Sequence, residues 1–157
     1  MPHIHEKVDF VADVFIVYND KVFLRMHDKH KIWLAVGGHI ELDEDPVQAV
    51  IREAKEESGL DIELIGDVPS IPDIEHWKRK ELLAPAFMNR HRVEPDHEHI
   101  SLTYFAKAKT DRIIPMGDDI SNEWKWVSEA ELEAMDLLPN IRYYAKKALE
   151  AARNKNP

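Results

Sequence analysis

The stretch DPVQAVIREAKEESGL, residues 45–60, limits what this chain can fold into more than any other. Asp45 stands as an N-cap, Pro46 takes the first helical position, Gln48 completes a capping box and Gly59 follows the last turn. Val47, Val50, Ile51 and Ala54 recur at helical spacing and predict the buried stripe. The same helix crowds Glu53, Glu56 and Glu57 together, with Lys55 the only lysine inside the run. Like charges three or four residues apart on a helix cost roughly 0.2–0.5 kcal/mol per pair, and the negative end of the helix dipole makes acids there less welcome still. The spacing predicts that the three carboxylates converge on a patch away from the apolar stripe, held by something positive. A solvated acidic face, screened by salt, is the alternative.

Around this helix the chain alternates strand and helix signals. FVADVFIVYN and KVFLRMHD read as two strands joined at Asn19-Asp20, and IWLAVGGHIEL as a strand running into a Gly-Gly loop. DIELIGDV reads as a strand and residues 69–80 as a long loop or short irregular helix. APAFMNRHRV and HISLTYFAKAK read as paired strands around the loop EPDHEH. EWKWVS is a short strand, Ser128 and Glu131 form a second capping box, and PNIRYYAKKALEAA is an amphipathic terminal helix. No repeat or linker interrupts the order, so one α/β domain over 1–157, with a mixed sheet and flanking helices, is expected.

The 157 residues suffice for one buried core. A formal net charge of −9 argues against a duplex or RNA-binding face. It leaves room for phosphorylated small molecules, because a cation on carboxylates can present positive charge to a phosphate. There is no cysteine, which removes disulfides and thiolate chemistry. The apolar run FVADVFIVY is short and broken by Asp13, and MPHIHEKVDF has no signal-peptide pattern. A cytoplasmic protein without a membrane span is therefore expected. Homo-oligomerisation is left open.

From Gly38 the chain reads GHIELDEDPVQAVIREAKEESGL, with Gly38, Glu44, Arg52, Glu53, Ala54, Glu56, Glu57, Gly59 and Leu60 at fixed spacing. This resembles the signature of the Nudix (MutT-like) hydrolases. With Gly38 setting the frame, chance agreement at the other named residues is on the order of 10⁻⁷. Val36 stands where the family usually has proline, and Ala54 is a small occupant of an apolar position. The resemblance implies an α/β/α sandwich with a mixed central sheet. It implies a hydrolase in which water attacks phosphorus in the diphosphate linkage of a nucleoside diphosphate derivative.

The cofactor implied is Mg²⁺, with Mn²⁺ a substitute. The implied ligands are the carboxylates of Glu53, Glu56 and Glu57 and the carbonyl of Gly38, an oxygen set suited to a hard cation. Arg52 is spaced to orient Glu56, and Glu44 to reach back toward Arg52 or a second ion. Glu53 and Glu98 are the candidate general bases, with Glu94 behind them. Arg90 and Arg92 are candidates to grip phosphate, and Trp33, Trp124 and Trp126 to stack a base, although half-buried tryptophan is the ordinary outcome. His97 and His99 share a strand face with His91 on the strand before. Without HExxH or cysteine they read as unligated polar residues. A binding or regulatory domain that has kept the fold and lost catalysis is the alternative function; a full set of glutamates weighs against it.

Overall fold

The computed structural model describes residues 4–72, 78–118 and 121–155. Its elements, in chain order, are β1 (Val8–Tyr18), β2 (Lys21–Met26), β3 (Trp33–Leu34), β4 (Val36–His39), α1 (Pro46–Ser58), β5 (Ile62–Leu64), β6 (Phe87–Glu94), β7 (His97–Ala108), β8 (Trp124–Ser128), α2 (Glu129–Ala134) and α3 (Pro139–Asn154). All the strands join one mixed sheet around a parallel pair, β1 and β7, which run side by side from Val8↔Glu98 to Val17↔Lys107. On its other edge β1 pairs antiparallel with β4 along Val11–Val14 and with β2 only near the Asn19-Asp20 turn. Both turn residues have positive φ, 46° and 60°, the conformation a two-residue hairpin needs.

Side-chain alternation along β1 separates the two faces. Ala12, Val14 and Ile16 pack with Ala49, Val50 and Ala54 of α1, while Phe15 and Val17 pack with Ile141, Ala145, Ala148 and Leu149 of α3. The sheet is therefore covered by a helix on each face, an α/β/α sandwich. No helix among the described residues is long and apolar enough to cross a membrane.

The capping box at Asp45 and Gln48 forms, as does the one at Ser128 and Glu131, and Gly59 closes α1 with φ 75°. A side chain at Gly59 would also run into the carbonyl of Ile114. The backbone N–H groups of Ile114, Met116 and Gly117 donate to the last-turn carbonyls of Ser58 and Glu56 at 2.8–2.9 Å. These bonds satisfy carbonyls that the helix end itself leaves unpaired.

Three expectations are corrected. Ile51 is 47% exposed, whereas Glu53 is only 4% exposed. The helix turns Ala49, Val50, Glu53 and Ala54 to the sheet, so Glu53 lies on the buried stripe and not away from it. The Gly-Gly pair is not a loop: Gly37 and Gly38 lie within β4, opposite Asp13 and Ala12. The loop EPDHEH is a tight turn at Pro95-Asp96, with His97, Glu98 and His99 already in β7. Residues 73–77, inside the expected 69–80 loop, lie outside the described residues.

Candidate active site

The site begins with the reason for glycine at 38. A Cβ there would collide with the Glu53 carboxylate, so α1 reaches β4 closely only because that position has no side chain. Gly37 is restricted from the other side, where a Cβ would lie 2.6 Å from the Ala12 carbonyl oxygen. Its N–H donates to Glu57 Oε2 at 3.0 Å, fastening the helix to the strand edge.

Arg52 organises the carboxylates. Its guanidinium donates to Glu44 through Nη2 and Nε at 2.6 and 3.1 Å, and through Nη1 to Glu53 at 2.8 Å and Glu56 at 3.2 Å. Nη2 also donates to the His39 carbonyl at 3.1 Å. The hydrogen bonds it donates to Glu44 and Glu53, and then the charges of those two carboxylates, raise the Arg52 pKa well above its usual value against some burial. Glu44 is pushed up by burial, but the bonds from Arg52 and the Glu41 N–H outweigh this and leave it below the ordinary carboxylate range. Burial raises Glu53 despite Arg52, and neighbouring Glu56 adds to the rise.

Arg25, which the sequence reading did not single out, completes the set. Its Nη2 lies 2.6 Å from Glu57 Oε1. It reaches Glu57 from β2, so only the tertiary fold brings the pair together. Among the described residues, four carboxylates, Glu44, Glu53, Glu56 and Glu57, face two guanidinium groups, Arg52 and Arg25, a set whose formal charge is −2. Lys55 does not reduce it, because its ammonium is 2.9 Å from Asp61. The side chain of Glu56 is 45% exposed and presents the cluster to solvent. A buried or half-buried oxygen set with this residual charge fits one hard divalent cation.

The remaining candidates lie elsewhere. Glu98 pairs with Val8, on the same sheet face as Gly38's partner Ala12 but four residues along, roughly 13 Å of strand. It is held in β7 and ion-paired to Arg90, which corrects the expectation of a loop acid free to swing. Arg92 stands opposite Glu98 on β6 and is exposed, as is Glu94 at the strand end. Trp126 packs on Phe23 and Tyr18 and donates its indole N–H to the Asp111 carbonyl at 3.0 Å. Trp33 is half-buried and lies under the Lys125 ammonium, while Trp124 is 39% exposed.

Asp13 and the histidines occupy the opposite face. The Ser101 hydroxyl donates to Asp13 Oδ2 at 2.7 Å, yet burial pushes this carboxyl above its ordinary range. His99 makes edge contacts with His39, His91 and His97, with ring centres 5.0, 5.6 and 5.4 Å away. Burial, followed by those three neighbours, lowers its pKa to about 4. The i, i+2 spacing of His97 and His99 was legible; the approach of His39 and Asp9 was not.

The sequence model of the NUDIX domain matches residues 9–150. A crystal structure of a NUDIX-family hydrolase from Clostridium perfringens superposes with a TM-score of 0.79 at 36% identity, covering 92% of this chain and 97% of that one. The NAD-capped RNA hydrolase NudC of Photobacterium profundum is 31% identical over 94 residues, 57% of this chain and 34% of its own length. A probable DHNTP pyrophosphohydrolase of Lactococcus lactis subsp. cremoris is 29% identical over 101 residues, 64% of this chain and 55% of its own. The chain thus spans about a third to a half of the length of these two curated relatives.

Proposed function

Since the chain belongs to the Nudix family, we propose that it is a pyrophosphohydrolase that splits the phosphoanhydride of a small nucleoside diphosphate derivative by attack of water on phosphorus, with residues 1–157 acting as one domain. The observation that carries this reading is the residual −2 charge of the cluster built from Glu44, Glu53, Glu56, Glu57, Arg52 and Arg25. Mg²⁺, or Mn²⁺ in its stead, is the proposed cofactor, with Glu53, Glu56, Glu57 and the Gly38 carbonyl as its ligands. When bound it supplies positive charge to the diphosphate oxygens and acidifies water.

The chain's own residues do the rest. Arg52 fixes the Glu53 and Glu56 carboxylates in relation to each other, and Glu44 fixes Arg52. Arg25 and the Gly37 N–H hold Glu57. Glu53 is the proposed proton acceptor, because its carboxylate lies against Gly38 inside the cluster, with Oε1 held by Arg52 Nη1 at 2.8 Å. Arg90 and Arg92 are proposed to meet the substrate phosphates from the exposed hairpin. A groove of about 430 Å³ lies beside the start of α1, lined by Phe10, Ile40, Leu42, Pro46 and Leu102 among others, and is the proposed seat of the nucleoside.

The relatives are named for NAD-capped RNA and for DHNTP, both containing a phosphoanhydride, which supports the linkage class and not one substrate. The test is release of nucleotide and phosphate from a panel of nucleoside diphosphate derivatives, with Mg²⁺ and after its removal by chelator. Turnover only with the cation is expected. Failure on every phosphoanhydride would favour a binding domain that has lost catalysis.

A further inference from the structure

The sheet face turned away from the glutamates carries a second convergence of side chains, which borders the proposed nucleoside groove through Asp9 and has no part in the proton and phosphate chemistry as proposed. Asp9 in β1 stands in register with His99 in β7, and His39 in β4 pairs with Val11, two residues along from Asp9. Alternation puts all three side chains on the α3 face, on three adjacent strands with Asp9 in the middle. We propose that Asp9, His39 and His99 form a binding site for one divalent transition-metal ion of the zinc class, separate from the glutamate cluster.

One ligand atom of each residue lies within 4.8 Å of the other two. Asp9 Oδ2 and His39 Nε2 are 3.2 Å apart. Tetrahedral zinc with ligands near 2.1 Å holds its ligand atoms roughly 3.4 Å apart, so small side-chain rotations close the site. Two imidazoles and one carboxylate make a borderline donor set, preferred by zinc and its neighbours over Mg²⁺, and leave a coordination position open.

The surroundings orient the carboxylate as outer partners of a metal site do. Asp9 is 1% exposed and accepts backbone N–H bonds from His5 at 2.7 Å and Ile4 at 3.2 Å. His97 Nδ1 is 3.1 Å from the Glu6 carbonyl, an acceptor, and so carries a proton, while its Nε2, 3.2 Å from Asp9 Oδ2, bonds that carboxylate when it is protonated as well. The segment Ile4–Glu6 is thereby laced to the site. Asp9 Oδ2 already has His39 Nε2 and His97 Nε2 each at 3.2 Å, so the proposed ion competes with a proton on a histidine beside this buried carboxylate, and the experiment separates the two.

His39 also links the two faces. Its side chain serves this site while its carbonyl accepts from Arg52 Nη2 at 3.1 Å. Even so, the inference does not depend on the proposed hydrolysis, and its test reads no turnover.

The metal-free full chain is titrated with Co²⁺ in excess Mg²⁺, which saturates oxygen-only sites, and followed by visible absorption. One Co²⁺ per chain is expected, with intense bands of a low-coordinate nitrogen-ligated ion that Zn²⁺ abolishes. His39→Ala and His99→Ala should each weaken binding by about 10- to 100-fold or more. His91→Ala and Glu56→Gln should leave it unchanged. No Co²⁺ retained by the unaltered chain, or retention lost in Glu56→Gln and kept in both histidine variants, overturns the proposal. Should an alanine variant unfold, the unaltered chain decides alone, since weak octahedral bands from oxygen ligands are equally fatal to it.

Discussion

Arg52 grips Glu44 with two guanidinium nitrogens, Nη2 to Oε1 at 2.6 Å and Nε to Oε2 at 3.1 Å, across eight residues of chain. The fork uses a planar geometry that an ammonium cannot reproduce, and the nitrogen left over holds Glu53 and Glu56. Arg52→Lys keeps the charge and loses the fork. A charged hydrogen bond is worth about 1.5–3 kcal/mol, so kcat/KM should fall about 10- to 100-fold. Wild-type kinetics in Arg52→Lys would remove Arg52 from the positioning role.

Glu56 and Glu57 are neighbours with different attachments, and their variants should differ accordingly. Glu56 is the more exposed, so Glu56→Gln should change stability by less than about 0.5 kcal/mol. Glu57 is held between Arg25 and the Gly37 N–H, so Glu57→Gln should cost about 1–3 kcal/mol of folding stability by leaving Arg25 without its charge partner. Both should lower kcat strongly and raise the Mg²⁺ needed for half-maximal rate. Denaturant melts and Mg²⁺ titrations of the two variants check this, and unaltered Mg²⁺ dependence in both would return the cluster to a solvated acidic face.

For the proton acceptor, Glu53→Gln should lower kcat by about 10²- to 10⁴-fold, the usual effect of a lost general base. Glu98→Gln should stay within about threefold of wild type, because Glu98 is fixed in β7 and engaged by Arg90. Single-turnover rates at saturating Mg²⁺ make the comparison. A hundredfold loss on Glu98→Gln with normal Mg²⁺ affinity would move the base to the hairpin.

Why the helix was legible and the hairpin was not follows from the range of the forces involved. Asp45, Pro46, Gln48 and Gly59 act within one turn of their own positions, so sequence alone locates both ends of α1. The Arg52 contacts to Glu44 and Glu56 are likewise readable from spacing. Ile51 and Glu53 exchanged their expected places because the helix rotates to bring small Ala49 and Ala54 against the sheet, and Gly38 opens a space that accepts a carboxylate. The Gly-Gly pair suggested a loop because glycine usually signals backbone freedom; here it allows close packing within a strand. Arg25 with Glu57, and Asp9 with His39 and His99, are joined only by the sheet order, to which no local pattern in the chain points.

Asp13 gives the pH prediction. Its carboxyl is raised above the ordinary value of 3.8 by burial, against pulls in the other direction from the hydroxyls of Ser101 and Thr103 and from the charge of His91. The folded chain therefore binds this proton more tightly than the unfolded chain does. Between 3.8 and the higher folded value the unfolded state is the less protonated, so stability falls as pH rises through that window and the deficit persists at neutral pH. Asp13→Asn removes the buried charge and keeps an oxygen to accept from Ser101 and an amide to donate to the Thr103 oxygen. The variant should melt a few degrees above wild type at pH 7, where 1 kcal/mol corresponds to about 2–4 °C for a chain of this size. The gap should close as pH is lowered toward 3.8. Melting curves of both proteins across that range decide it: a variant less stable at pH 7 would mean that the hydroxyls hold the charged form better than burial penalises it.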